Sequence, residues 1–178
     1  MKNSILIFAF FSFFIRGVAA QEIDKTPVAN FDLERYMGTW HEIARFDNRF
    51  ERDLTSVTAE LSLCQSEQGL IQILNRGYNI KDMEWKQAHG RGYTTPISGR
   101  LKVSFFLFFT SEYNVMALGD DYEWALVGSR SNRFLWILSR QPQLSPSVSA
   151  RVVDIARKRG YDVEKLIFLE PAQTAYNQ

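Results

Sequence analysis

Apolar and polar residues alternate along most of this chain with the two-residue period of strands whose faces meet different surroundings. The clearest case is 54–63, where Val57, Ala59, Leu61 and Leu63 share one face while Thr58, Glu60 and Ser62 share the other. Ile71, Ile73 and Asn75 likewise oppose Gln72, Leu74 and Arg76, and Leu101, Val103 and Phe105 alternate with Lys102 and Ser104. Segments 40–46, 85–93, 113–118, 124–129 and 134–139 complete a set of eight. Turn residues separate neighbours at Gln68-Gly69, 79–82, 96–99, 119–121 and Ser131-Asn132. Short strands spaced in this way predict an antiparallel sandwich or barrel. Closure removes edges that invite aggregation, and a barrel of about eight strands can hold one small ligand. The expected fold is therefore all-β, an eight-stranded antiparallel up-and-down β-barrel.

One segment follows a different period. Ser145-Pro146 combines an N-cap with a proline suited to the first helical position. Val148, Val152, Ile155 and Ala156 then recur at helical spacing, and Gly160 stands where a helix stops. A single helix over about 146–159 is predicted, packed on the outside of the sheet to bury its apolar stripe. The segment 134–139 needs such a cover, because Phe134, Trp136 and Leu138 face one way and the equally apolar Leu135 and Ile137 the other. Residues 166–169 read as a short closing strand.

The ends of the chain set its compartment. Lys2, the apolar run Ser4 to Ile15, and small residues at Val18 and Ala20 form the pattern of a cleavable signal peptide over 1–20. A polar linker, 21–30, leads into the barrel region, 31–171, and a tail, 172–178, ends the chain. Removing 20 of 178 residues leaves 158, enough for one core. Lys2 and Arg16 lie in the leader, so 19 of the 21 basic residues remain against 20 acidic ones, a net charge of −1. That balance argues against nucleic acid as a partner. The single cysteine, Cys64, can form no internal disulfide and is read as a buried small hydrophobe.

Chemistry for catalysis is sparse. His41 and His89 are far apart and out of phase with the apolar faces of their strands. No cluster has metal-ligand spacing, so neither metal nor cofactor is expected. Asp120-Asp121 sits in a tight turn and reads as turn chemistry. The positive signal is a wall of inward-facing residues. Strand parity places Val57, Ala59, Ile73, Val103, Phe105, Val115, Leu126, Phe134 and Trp136 inside, with Asn75 as either a polar contact for a ligand or a structural amide. Small residues assigned to the same face (Ala59, Ala88, Gly90, Gly92, Ala117, Gly128) are expected to leave a cavity. The run Phe105 to Phe109 is either covered or an exposed patch for dimerisation or membrane-surface contact.

Three short motifs carry a family resemblance. Gly38-Thr39-Trp40, Asp120-Asp121-Tyr122 and Leu138-Ser139-Arg140 resemble, in order and position, the three motifs of the lipocalins. Segments 40–45 (WHEIAR), 57–62 (VTAELS), 75–79 (NRGYN), 101–106 (LKVSFF) and 135–140 (LWILSR) are similar to the bacterial branch of that family, with vertebrate apolipoprotein-type members as further relatives. The resemblance implies a closed end built by Gly38, Trp40, Tyr122 and Arg140. It also implies a non-enzymatic role, the storage or transport of a fatty acid or lysophospholipid in the cell envelope. A carrier of haem or another apolar pigment is the alternative within this class, and a thiol enzyme using Cys64 the alternative outside it. The acylated cysteine of the bacterial lipoproteins is missing, because Gln21 follows Ala20. A soluble periplasmic or secreted protein is therefore expected, with outer-membrane association left open.

Overall fold

A computed structural model describes residues 22–106 and 109–170. The leader over 1–20, the tail over 172–178 and the centre of the Phe105–Phe109 run lie outside the described residues. A short helix, α1 (Leu33–Tyr36), precedes strands β1 (Gly38–Phe46), β2 (Leu54–Leu63), β3 (Leu70–Asn79), β4 (Glu84–Thr94), β5 (Arg100–Phe106), β6 (Phe109–Leu118), β7 (Trp124–Gly128) and β8 (Leu135–Ser139). Helix α2 (Pro146–Lys158), one 3-10 turn and strand β9 (Leu166–Phe168) follow.

Consecutive strands pair antiparallel from β2 to β8, β8 pairs with β1, and β1 pairs with β2 to close the barrel. Strand β1 divides its free edge between two partners. Its first half meets β2 (Gly38↔Leu61 to His41↔Thr58), and its second half meets β9 (Ala44↔Phe168 to Phe46↔Leu166). The short β9 thus covers backbone groups that β2 leaves unpaired when its chain departs into the loop 47–53. The end at which β1 begins is closed by α1; the opposite end carries the 47–53 loop.

Two apolar clusters lie on opposite faces of the same strands. Tyr36, Trp40, Leu61, Ile71, Ile73, Leu101, Val115, Ala125, Val127 and Leu138 fill the inside. Ile43, Ala44, Phe46, Met116, Trp124, Leu126, Leu135, Ile137 and Tyr161 lie outside, under Val152 and Ala156 of α2. Strand β7 is buried at every residue for this reason. Helix α2 starts where its sequence says it should, with the Ser145 hydroxyl accepting from Val148 N at 3.4 Å and proline in the first turn. Each aliphatic side chain so buried contributes roughly 1.5–3 kcal/mol.

Four expectations need correction. Leu126 faces outward beneath α2, because β7 alternates without a break, with Ala125 and Val127 inside and Trp124 and Leu126 outside. Ala117 is outside because a bulge in β6 between Val115 and Ala117 reverses its parity, and Gly128 is outside because it shares the Leu126 face of β7. A Cβ on Gly128 would lie 2.6 Å from Tyr161 Oη, so this glycine admits the tyrosine under the helix and makes no room inside. At Gly90 the space is inside but occupied, since a Cβ there would fall 2.6 Å from the Phe105 ring. Cys64 is half-buried in the β2–β3 turn, its sulfur 3.2 Å from Ser66 Oγ, rather than in a core. Ahead of α1 the chain lies against the barrel, where Arg159 binds Asp24 Oδ2 at 2.8 Å and Val28 N donates to Val115 O at 2.9 Å.

Candidate functional site

The closed end is an aromatic floor. Tyr36 and Trp40 are both fully buried, with ring centroids 4.8 Å apart, and Trp40 Nε1 donates to Tyr36 O at 2.9 Å. Across the barrel the hydroxyls of Tyr36 and Tyr113 lie 2.6 Å apart. Burial holds both phenols well above their ordinary range, so each keeps its proton. Outside this floor, the Arg140 guanidinium lies 3.8 Å above the Trp40 ring and donates to Arg35 O at 2.7 Å and Thr39 O at 3.0 Å. Gly38 adopts φ +97°, which admits the turn from α1 into β1 and leaves the guanidinium 3.3 Å from where a Cβ would sit. Tyr122 also has positive φ, 59°, and its hydroxyl accepts from Asp32 N at 2.8 Å. Gly38, Trp40, Tyr122 and Arg140 therefore meet at one end of the barrel. Arg140→Ala should lower stability by about 2 kcal/mol through the lost stacking and capped carbonyls, with ligand affinity unchanged. Thermal unfolding and a binding titration check this; equal melting temperatures for variant and parent would contradict it.

Above the floor the wall is apolar. Val57, Ile73 and Val115 are buried, while Ala59, Asn75, Val103, Phe105 and Trp136 face inward yet stay partly accessible. Phe134 stacks on Trp136 with ring centroids 5.6 Å apart and planes 9° from parallel. Asn75 Oδ1 is buried with no hydrogen-bond partner, an acceptor left over on an inward face. His41 and His89 pair with outward-facing positions, Ser139 and Leu74. The Cys64 thiol lies outside this wall, at the closed-end β2–β3 turn. Its pKa is lowered by the hydrogen bond from Ser66.

Strand parity alone does not reveal the polar cluster at the open end. Strand β1 carries a bulge between Glu42 and Ala44, so that Glu42 pairs with Leu138 and Arg45 with Trp136, both inward positions. Glu42 and Arg45 are 8% and 4% exposed, and their side chains join at 2.7 Å. The second Arg45 nitrogen donates to Glu51 O at 2.6 Å and Leu54 O at 3.0 Å, drawing the 47–53 loop over the opening. The Glu51 carboxylate accepts from Asn48 Nδ2 at 2.5 Å and from Trp136 Nε1 at 3.0 Å. Desolvation and the like charge of Glu51 outweigh Arg45 and push the Glu42 carboxyl up to about 8. The folded protein thus retains a proton that the unfolded chain releases near the ordinary value of 4.5. Glu42 costs nothing below that value and progressively more as pH rises toward 8, after which the cost levels off. Glu42→Gln should therefore gain stability relative to the parent between pH 5 and pH 8, by at most about 1.4 kcal/mol per pH unit. Urea denaturation across that range checks this, and a constant difference would contradict it. Among the described residues no group of His, Cys, Asp and Glu is arranged to hold a metal ion.

Comparison with known proteins agrees with this geometry. A family model described as a lipocalin-like domain matches residues 31–171. Outer membrane lipoprotein Blc of Escherichia coli (strain K12) is 46% identical over 147 residues, covering 82% of each chain. Apolipoprotein D of Mus musculus is 33% identical over 154 residues, covering 80% of this chain and 78% of its own. Among solved structures, insecticyanin from the tobacco hornworm Manduca sexta superposes with a TM-score of 0.68 at 20% identity over 88% of both chains, a likeness of fold. The bacterial relatives overturn the expectation of a freely soluble periplasmic or secreted protein with no lipoprotein cysteine. They are outer-membrane lipoproteins, and what they support is a location in the cell envelope.

Proposed function

We propose, from the premise that this chain belongs to the lipocalin family, that it binds a single-chain lipid inside its barrel and stores or carries it in the cell envelope. Members of the family are in general binding and transport proteins for small hydrophobic molecules. The observation that carries the finer reading is the inward wall, where Ala59, Val103, Phe105 and Trp136 remain partly accessible although their strands face a closed interior. Apolar surface that solvent still reaches is surface an acyl chain can bury. A chain of a dozen methylenes gains roughly 0.8 kcal/mol for each, about 10 kcal/mol before the costs of immobilisation and desolvation. A flexible chain can also take the place of Phe105 over Gly90 if that ring turns aside. Fatty acids and lysophospholipids meet these requirements. The relatives include an outer membrane lipoprotein and an apolipoprotein, which favours a lipid over a pigment. A haem would also find no histidine on the inner face, since His41 and His89 point outward.

Native mass spectrometry with lipid extraction, on protein purified from its own envelope, tests the reading. A fatty acid or lysophospholipid at close to one per barrel is expected. Protein that carries no lipid and also fails to bind added acyl chains would overturn it.

A further inference from the structure

The apolar wall leaves the polar cluster at the open end unexplained. Burying a carboxyl and a guanidinium inside a barrel, with a second, half-buried carboxylate beside them, is expensive, and such groups are poor stabilisers compared with well-packed apolar ones. The cluster is also incompletely matched, because Arg45 Nε is buried with no partner. Its most telling member is Glu51, which belongs to the loop rather than to the wall. That loop is held from within. Asn48 Oδ1 accepts from the backbone N–H groups of Phe50 and Glu51 at 3.1 and 3.0 Å, and Arg45 grips the Glu51 and Leu54 carbonyls. The Glu51 carboxylate then rests on Asn48 Nδ2 and Trp136 Nε1. A carboxylate is thus already seated at the top of an apolar wall, within a shell of N–H donors that includes the rigid indole of β8.

We propose that Glu51 holds the place that the carboxylate head of a fatty acid takes on binding, so that loading the barrel displaces Glu51 and frees the loop between β1 and β2. The assignment rests on the lipid-carrier reading above and narrows it to the head group. The donors are those of a carboxylate site: Trp136 Nε1, Asn48 Nδ2 and the unmatched Arg45 Nε–H. Occupancy of these donors also favours exchange over simple addition. Glu42 holds the Arg45 guanidinium at 2.7 Å, and the Glu51 carboxylate already occupies Asn48 Nδ2 and Trp136 Nε1, so an incoming carboxylate could use those donors only if Glu51 left. Glu42 is fixed on a strand beside Arg45, whereas Glu51 sits on a loop with solvent behind it. Glu51 is the one that can leave. An uncharged head of the same size has no advantage over Glu51 on these donors and would bind beneath it, leaving the loop in place.

The loop supplies its own reporter, since Arg49 and Arg52 are exposed trypsin sites within 47–53. The test uses the whole mature protein with dodecanoate and dodecanol, which share a chain and differ in head group. Binding of each is measured by displacement of a fluorescent apolar dye, and trypsin cleavage after Arg49 and Arg52 is timed with and without saturating ligand. Dodecanoate is expected to speed cleavage several-fold while dodecanol leaves it unchanged. Glu51→Gln should bind dodecanoate several-fold more tightly, with dodecanol affinity as in the parent. If both amphiphiles bind but dodecanoate leaves cleavage unchanged, or if Glu51→Gln moves both affinities equally, the head-group site is wrong and the carrier reading stands. If neither binds, the carrier reading itself fails and takes this site with it.

Discussion

The bulge in β1 at Ile43 decides which side chains the barrel encloses. By inserting one residue against β8, it lets Trp40 and Glu42 point inward, Ile43 and Ala44 outward, and Arg45 inward again. Each of the molecule's working parts depends on that sequence of directions. Trp40 becomes the floor on which Arg140 stacks from outside. Ile43 and Ala44 join the surface that seats α2. Arg45 reaches the opening, where it grips the loop that lies across it. A strand without the bulge would turn Arg45 out among apolar groups and leave the 47–53 loop without its inner anchor.

Two kinds of interior result from this arrangement. The closed half is packed with aromatic and branched side chains, and its few polar atoms pair with one another, as Tyr36 and Tyr113 do. The open half is less complete. It combines accessible apolar surface with unmatched polar atoms on Arg45 and Asn75 and a carboxyl, Glu42, that burial pushes up to about 8. Full satisfaction of buried polar groups is the rule in interiors, so leftover donors and acceptors facing a lined space fit a site built for a ligand better than one built for rigidity.

Much of this was readable from the chain. Strand periodicity, the turn signals and the Ser145-Pro146 helix start are local features, and they led to a barrel with one outer helix. The inner and outer faces of β8 followed because strict alternation held from Leu135 to Leu138. Where alternation failed, so did the reading. Bulges in β1 and β6 change the parity of what lies beyond them in those strands, which hid Arg45 and misplaced Ala117. Strand β7 alternates regularly but is apolar on both faces, so parity did not say that Leu126 and Gly128 face out. Gly90 misled for a different reason: a glycine opens space, but its neighbour Phe105 decides whether that space stays open. The Glu42–Arg45–Glu51 cluster had a visible trace, two charged residues in a strand of otherwise buried character. Their meaning required knowing that Glu51, in a loop, folds back over them.

Whether the open half of the barrel receives an acyl chain can be asked most directly of Trp136, the tryptophan that faces it; Trp40 lies in the floor and Trp124 under the helix. Bromine quenches indole fluorescence only at close range, so a fatty acid brominated along its chain reports contact. Saturating brominated fatty acid should quench a substantial part of the emission of the parent protein, and Trp136→Phe should lose most of that quenchable part. Quenching of equal size in the variant, or none in the parent when binding is saturated, would mean that the chain lies elsewhere and that the barrel interior is not the site.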